Sequence, residues 1–209
     1  MKKNILVIAG CTIVLFISTV AYSAEDPYVS LNLGLAVANN SDAKFDSGDT
    51  VEFEFEKGIA LSGAIGGIIN DRFRAEVEIA YQENDLDKAG MAGVGSIDVN
   101  GDASSLSLLA NGYYDFINAG PFTPFLSAGI GIAEVEVSKI TIPGSSYYLT
   151  GDDDIVFAYQ LGAGIGFAVN KQVTLDFKYR YFATSDPEFE IASTEFSTHN
   201  FYAGIRVSL

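Results

Sequence analysis

A strict alternation of apolar with polar or small residues recurs along this 209-residue sequence, and it constrains the fold more than any other feature. In the last eleven residues, HNFYAGIRVSL, the apolar positions are Phe201, Ala203, Ile205, Val207 and Leu209. A period of two is the pattern of a β-strand whose two faces meet different surroundings. Eight such segments occupy residues 28–37, 51–69, 73–82, 105–116, 124–133, 157–168, 173–182 and 199–209.

The links between these segments alternate in length. The short links INDR, INAGPF and VNKQ follow the second, fourth and sixth segments, and the long links cover residues 39–50, 83–104, 139–154 and 183–195. Eight strands of roughly ten residues fit a small antiparallel barrel. Short turns at one end and long loops at the other are typical of outer-membrane barrels. We therefore predict an all-β fold, an eight-stranded antiparallel up-and-down transmembrane β-barrel over residues 24–209.

A soluble barrel such as a lipocalin shows the same period of two, so the period alone does not tell which face meets water. The composition of the two faces decides this. The apolar face is large and rich in aromatic residues, as a lipid-facing band requires. The opposite face includes Gly162 and Gly164, which would weaken an exposed strand but leave room in a narrow lumen. We predict that the apolar face meets lipid, that Phe55 shares it with Ile59, and that Tyr28 joins an interfacial aromatic girdle.

The inward face is predicted to carry four basic and four acidic side chains. They are Arg74, Glu76, Glu78, Asp115, Asp176, Lys178, Arg180 and Arg206. Buried charges need partners, and side chains fill the interior of an eight-stranded barrel. We predict a paired network that plugs the lumen. The alternative is a selectivity ring in a small-solute porin, which a large and stable conductance would reveal.

The N-terminus, MKKNILVIAGCTIVLFISTVAYSA, has a basic start, an apolar run and small residues at its end. This is the layout of a secretory signal peptide over residues 1–23, cleaved near 23/24. The alternatives are a membrane anchor, for which the run is slightly short, and a lipoprotein, for which Cys11 comes too early. Cleavage would leave 10 basic against 27 acidic residues, a formal charge of −17. Such acidity argues against a nucleic-acid partner.

Much of the acidity falls in the long links. The residues are Asp42, Asp46, Asp49, Glu83, Asp85, Asp87, Asp152, Asp153, Asp154, Asp186, Glu188 and Glu190. A solvated surface is one interpretation; divalent-ion bridging to lipopolysaccharide and capture of a basic host protein are the others. The stretch DVNGD at 98–102 is similar to a calcium loop, but Ala103 and Leu109 stand where that loop needs Gly and Glu. We predict a turn at Asn100–Gly101, no metal and no cofactor.

One arrangement suggests catalysis: Glu195, Ser197 and His199 alternate and share one strand face near the outer rim. A serine activated by a histidine and oriented by a carboxylate is hydrolase chemistry, and lipid would be the substrate. Residues two apart on a strand are about 6.5–7 Å apart, which strains direct hydrogen bonds. A polar strand end is the competing interpretation, and we predict that the protein is not an enzyme.

Six motifs occur in order: RAEVEIAYQ, LLANGYYDF, TPFLSAGIGIA, AYQLGAGIGFAV, LDFKYRYF and HNFYAGIRVSL. Together they resemble the small outer-membrane β-barrels of the opacity-type surface antigens, which are related to the membrane domain of OmpA. The resemblance implies a bacterial outer-membrane location, a structural, adhesive or antigenic role and contact with lipid and lipopolysaccharide. It also implies assembly-machinery recognition of the C-terminal strand and a host or surface ligand at the long loops. Such barrels usually end in Phe, whereas this sequence ends in Leu209.

Overall fold

The structure, a computed structural model, describes residues 26–45, 50–91, 95–146, 148–187, 192–193 and 196–209. The predicted signal peptide, residues 1–23, lies outside these ranges and stays a prediction. No helix among the described residues is long and apolar enough to cross a membrane. The described chain forms β1 (Asp26–Ala38), β2 (Ser41–Phe45), β3 (Thr50–Phe55), β4 (Lys57–Asn70), β5 (Phe73–Met91), β6 (Gly95–Asp98), β7 (Asp102–Asp115), β8 (Phe122–Val137), β9 (Ile140–Thr141), β10 (Tyr148–Leu149), β11 (Asp152–Ala168), β12 (Val173–Thr184), β13 (Ala192–Ser193) and β14 (Ser197–Ser208).

Eight long strands close an antiparallel barrel. Their order around the ring is β1, β4, β5, β7, β8, β11, β12 and β14. Closure occurs between β14 and β1, where Leu33 lies opposite Ala203 and Tyr28 opposite Ser208. The predicted eight-stranded up-and-down barrel is therefore confirmed, and the pairing of its last strand with its first leaves no strand edge open in the ring.

The two faces of the strands are sorted as predicted. On β1, Leu31, Leu33 and Leu35 are 66%, 63% and 56% exposed, whereas Ser30 and Asn32 point inward and are buried. An exposed apolar belt of this kind surrounds the barrel, and it includes Ile59, Leu61, Ile65, Ile79, Leu106, Leu126, Ile130, Phe157, Leu161, Phe177, Phe201 and Ile205. A large continuous apolar surface is unstable in water but suits the hydrocarbon of a bilayer.

Several strands are much longer than the ten residues predicted. β5 has 19 residues, which corresponds to about 60 Å, whereas a strand needs about 9–11 residues to cross a bilayer. Beyond the apolar belt β5 pairs with β3 and β6, and β2 joins β3 to β13. The long links therefore largely form a sheet that extends the barrel. We call this part of the structure, made of β2, β3, β6, β13 and the ends of the long strands beyond the apolar belt, the outer extension.

The orientation of the alternation reverses in the outer extension. Phe53 is buried and Phe55 is half-buried, so the prediction that Phe55 faces lipid together with Ile59 is wrong. On β8, Val135 likewise points inward while Glu134 and Glu136 are exposed. The reversal has a simple cause: the outer face of the extension meets water instead of hydrocarbon, so its carboxylates turn outward and its apolar side chains turn inward.

Two further predictions are wrong. Tyr28 is not in a girdle but lies in the lumen, only 1% exposed, because it occupies the inward phase of β1. Asn100 and Gly101 form no hairpin, since they connect β6 to β7, and both strands run antiparallel to β5. The Asn100 amide instead donates to the Thr141 carbonyl at 2.9 Å, which ties this connection to β9.

Candidate functional site

The lumen contains all eight charged side chains selected from the sequence, and we call them the lumen charge network. Its central contact joins Arg180 Nη2 to Glu78 Oε2 at 2.7 Å, and Lys178 Nζ lies 3.7 Å from the same carboxylate oxygen. Glu78 is on β5 and Arg180 on β12, which are opposite strands of the ring. This ion pair therefore crosses the full width of the barrel.

A second group lies nearer the end with the short turns and is centred on Arg74. Its guanidinium donates to both carboxylate oxygens of Asp115, at 2.7 and 2.9 Å. Its Nη1 lies 3.6 Å from Glu76, which also accepts hydrogen bonds at 2.8 Å from the hydroxyls of Tyr28 and Tyr113. A bidentate Arg–carboxylate pair with neighbouring donors is the geometry in which buried charges are best compensated.

Arg206 and Asp176 complete the network, with Nη2 and Oδ1 3.1 Å apart. Tyrosine rings separate the basic groups from one another. The Arg206 guanidinium carbon lies 5.4 Å from the centroid of Tyr28, and that of Arg180 lies 4.8 Å from the centroid of Tyr202. These cation–π contacts fill the space between the ion pairs with bulky side chains.

Uncharged polar side chains lie in the lumen above the ion pairs. Gln82 Oε1 accepts hydrogen bonds at 2.9 Å from both Thr198 and Asn200, which again join β5 to the far side of the ring. Toward the outer end follows a packed apolar cluster made of Ala103, Leu109, Ala133, Val135, Val156, Ala158, Phe182 and Phe196. Charged, polar and apolar layers thus succeed one another along the axis.

Glycines on the inward face fit this crowding. A Cβ atom on Gly164 would stand 2.5 Å from Cζ of the Phe125 ring and 2.6 Å from the Phe177 carbonyl oxygen. The absence of a side chain on β11 is therefore what allows the Phe125 ring to lie across it.

The outer extension presents most of the acidic side chains. Asp85, Glu134 and Glu136 are exposed on its outer surface. Lys88 Nζ lies 3.4 Å from Asp87, and that carboxylate raises the pKa of Lys88. Asp46, Asp49, Glu188 and Glu190 lie outside the described residues. Within the described ranges, no cluster of three or more His, Cys, Asp or Glu side chains could hold a metal ion.

The three residues considered for catalysis are not brought together as a triad by the contacts described. Ser197 Oγ accepts a hydrogen bond from Asn39 at 2.8 Å. His199 Nδ1 is bonded to the Tyr179 hydroxyl at 2.7 Å, and Glu195 lies outside the described residues. Ser197 and His199 therefore each form a hydrogen bond with a different residue, Asn39 and Tyr179.

Sequence reasoning missed Tyr28 in the lumen and the apolar cluster nearer the outer end. The phase of the alternation already contained the signal for Tyr28, since it precedes Val29 and Leu31 by odd steps. The apolar cluster was hidden because Val135 lies beyond the fifth predicted segment and Phe182 is the last residue of the seventh. Recognising where the outer face changes from hydrocarbon to water would have identified the cluster.

Comparisons with known proteins agree with this architecture. The chain matches a family model described as "Outer membrane protein beta-barrel domain" over residues 8–208. It is 30% identical to outer membrane protein PagN of Salmonella typhimurium over 199 residues, which cover 86% of this chain and 83% of PagN. It is 26% identical to "Putative adhesin RC1281" of Rickettsia conorii, with 92% and 86% covered. The structure of Neisserial surface protein A shares the fold, with a TM-score of 0.54 at 21% identity over 87% of this chain and 96% of that one.

Proposed function

This chain belongs to the outer-membrane β-barrel protein family and resides in the bacterial outer membrane, and we propose that it is a closed, non-conducting barrel that displays an adhesive outer extension. The ion pair between Arg180 and Glu78 carries the first half of this proposal. This pair joins opposite strands of the ring. The interior of an eight-stranded barrel has little room left once side chains meet at its centre. Membrane anchorage and display, rather than passage of solutes, follow as the role of the barrel.

A planar-bilayer recording tests the closed lumen. We expect the wild-type protein to give no large, stable conductance steps. The Glu78→Ala/Arg180→Ala variant removes one charge of each sign together with the contact that crosses the lumen, and it should give brief openings. A porin inserted in the same membranes serves as the positive control. Large, stable conductance of the wild type would overturn the plug and favour the alternative of a small-solute porin.

The adhesive half of the proposal is supported by the outer extension and by one relative. The extension is a paired sheet with its own apolar cluster of Ala43, Phe53, Leu86 and Val99, so it offers a shaped surface rather than loose loops. The Rickettsia conorii relative is named "Putative adhesin RC1281". Because the exposed surface is acidic, a basic host or surface ligand is the complementary partner.

Bacteria that express the protein provide the test of adhesion. Neutralising the outer surface by Asp85→Asn, Glu134→Gln and Glu136→Gln should reduce attachment to epithelial cells several-fold, and attachment of the wild type should fall as salt is raised from 0.15 to 0.5 M. Asp71→Asn, at a short turn on the opposite end, is the matched control and should leave attachment unchanged. Equal attachment of the triple variant and the wild type would contradict an electrostatic adhesin.

We further propose that the protein acts without catalysis and that the assembly machinery recognises β14. The hydrogen bonds of Ser197 and His199 to Asn39 and Tyr179 support the first statement. Lipid A mass spectra should be the same for the wild type and for His199→Ala. A difference between the two would favour a lipid-modifying enzyme. The role of β14 as the closing strand, paired with β1 over eleven residues from Tyr28 to Ala38, supports the second statement.

A further inference from the structure

The exterior of the barrel carries exposed side chains of both signs at the outer end. Asp85 on β5 and Glu134 and Glu136 on β8 are exposed there, and the pairing of β5 with β4, in which Ile59 lies opposite Glu83, puts Asp85 on the strand next to Lys57. On the side of β4, β1 and β14, Lys57 and His199 flank Val37, to which both are paired in register. The two basic side chains therefore belong to strands about 10 Å apart, two strand spacings.

Lys57 differs from the other basic residues whose side chains the structure describes. Arg74, Lys178, Arg180 and Arg206 are in the lumen, Arg72 and Lys171 are at short turns, and Lys88 and Lys139 contact Asp87 and Tyr148. Lys57 begins β4 on its exposed face, in phase with Ile59 and Leu61. Among the described residues it forms no ion pair within 4.0 Å, so its ammonium group is available to an external anion.

His199 is positioned by aromatic side chains. Its ring stacks on Tyr179 with the centroids 5.9 Å apart and lies 5.3 Å from the ring of Tyr181. When the Tyr179 hydroxyl donates to Nδ1, the Nε2–H of a neutral imidazole is left to donate to a second acceptor. Tyrosine rings at this height are typical of the membrane–water interface, which is also where lipid phosphates lie.

A shallow, open apolar groove lies on the same face below this pair. Its wall includes Leu33 on β1, Leu61 on β4 and Ala203 on β14. On these strands they lie four residues deeper in the membrane than Val37, Lys57 and His199, respectively. Four residues correspond to about 13 Å. Gly63 and Ala203 are small residues of its lining.

From this juxtaposition we propose that the outer surface of β4, β1 and β14 holds one molecule of lipid A, with a phosphate between Lys57 and His199 and an acyl chain in the groove below. The long-link end is the extracellular end of such barrels, so the pair lies at the leaflet that contains lipopolysaccharide. The site rests on the outer-membrane location and is independent of adhesion.

Native mass spectrometry of the detergent-purified barrel, titrated with bisphosphorylated lipid A, tests the ligand. We expect lipid A to be retained at least about fivefold more tightly than the same lipid without phosphates, since each charge contact at a membrane surface contributes about this factor. Inorganic phosphate should not be retained, because it cannot occupy the groove. Phosphate-free lipid A or phosphatidylglycerol binding as tightly as lipid A would overturn the proposal.

Variants on the exposed face test the residues. Lys57→Gln should weaken lipid A binding about fivefold, His199→Gln should weaken it in the same direction, and Gly63→Leu should fill the groove and also weaken binding. A Cβ on Gly63 meets Leu31 Cδ2 at 3.4 Å, an ordinary contact, so this variant should still fold. Lys171→Gln, the same charge change at the opposite end, is the matched control. The proposal fails if Lys57→Gln binds like the wild type or if Lys171→Gln loses as much.

Discussion

Replacing Glu78 by Gln is expected to lower the free energy of unfolding by about 3–5 kcal/mol, the largest effect that we anticipate for a single polar substitution. Glu78 is fully buried, and its carboxylate contacts Arg180 at 2.7 Å and Lys178 at 3.7 Å. The glutamine keeps the shape but removes the charge. Two cations would then remain in the lumen without their counter-ion, and the cost of keeping them there determines the loss.

The chain contains no Trp, so Trp fluorescence cannot report its unfolding. The folded fraction is best measured by the gel mobility of unheated samples across a urea series. Glu136→Gln removes an exposed carboxylate from the same protein and should change stability by no more than about 0.5 kcal/mol. Replacing Glu78, Lys178 and Arg180 together by Leu, Met and Leu should recover most of the loss, since a well-packed apolar substitute for a buried ion group is often neutral or stabilising. A loss below about 1 kcal/mol for Glu78→Gln would show that water already screens this site.

The alternation and the lengths of the links were sufficient to predict the strands and their order, and the composition of the two faces was sufficient to predict which side of the barrel meets lipid. At Leu31, Leu33 and Leu35 the period of two matches the exposed face residue by residue. The closing pair of β1 and β14 followed as well, since an open edge in hydrocarbon would leave backbone groups without hydrogen bonds.

The same period could not show where the membrane ends. From Val51 to Phe55 the pattern continues in the same phase as at Ile59 and Leu61, yet the buried and exposed sides are exchanged. Periodicity reports that two faces differ but not which solvent each one meets. Carboxylates alternate with apolar residues both in the outer extension, at Glu52 and Glu54, and in the lumen, at Glu76 and Glu78, so the alternating residue types do not tell which face meets water.

The pairings inside the lumen depended on three-dimensional information that a sequence lacks. Eight charges on inward positions require partners, but β5 offers both Glu76 and Glu78 to cations from several strands. The ring order brings Arg180 across to Glu78, while Glu76 is held by Tyr28, Tyr113 and Arg74. Strand stagger around the closed barrel selects among these combinations, and it is a property of the whole ring rather than of any segment.

An arginine at the centre of the exposed apolar belt should destabilise the membrane-inserted barrel strongly. Leu33 is the middle one of five alternating apolar residues on the outer face of β1, from Val29 to Val37, and it is 63% exposed. Leu33→Arg is expected to lower the free energy of unfolding in lipid vesicles by about 2–4 kcal/mol, because a guanidinium near the bilayer midplane loses its hydration. The gel-mobility assay across a urea series measures the difference.

Depth, rather than charge alone, should determine this cost. Val29→Arg places the same group on the same strand face near the short-turn end, and it should cost only about 0–1 kcal/mol because the side chain reaches the interface. Leu33→Ala controls for the lost leucine. If both arginine variants unfold at the same urea concentration, the belt does not face hydrocarbon at Leu33, and the apolar exterior of β1 would need another partner. A steep difference between positions four residues apart is a result that only a bilayer around the barrel produces.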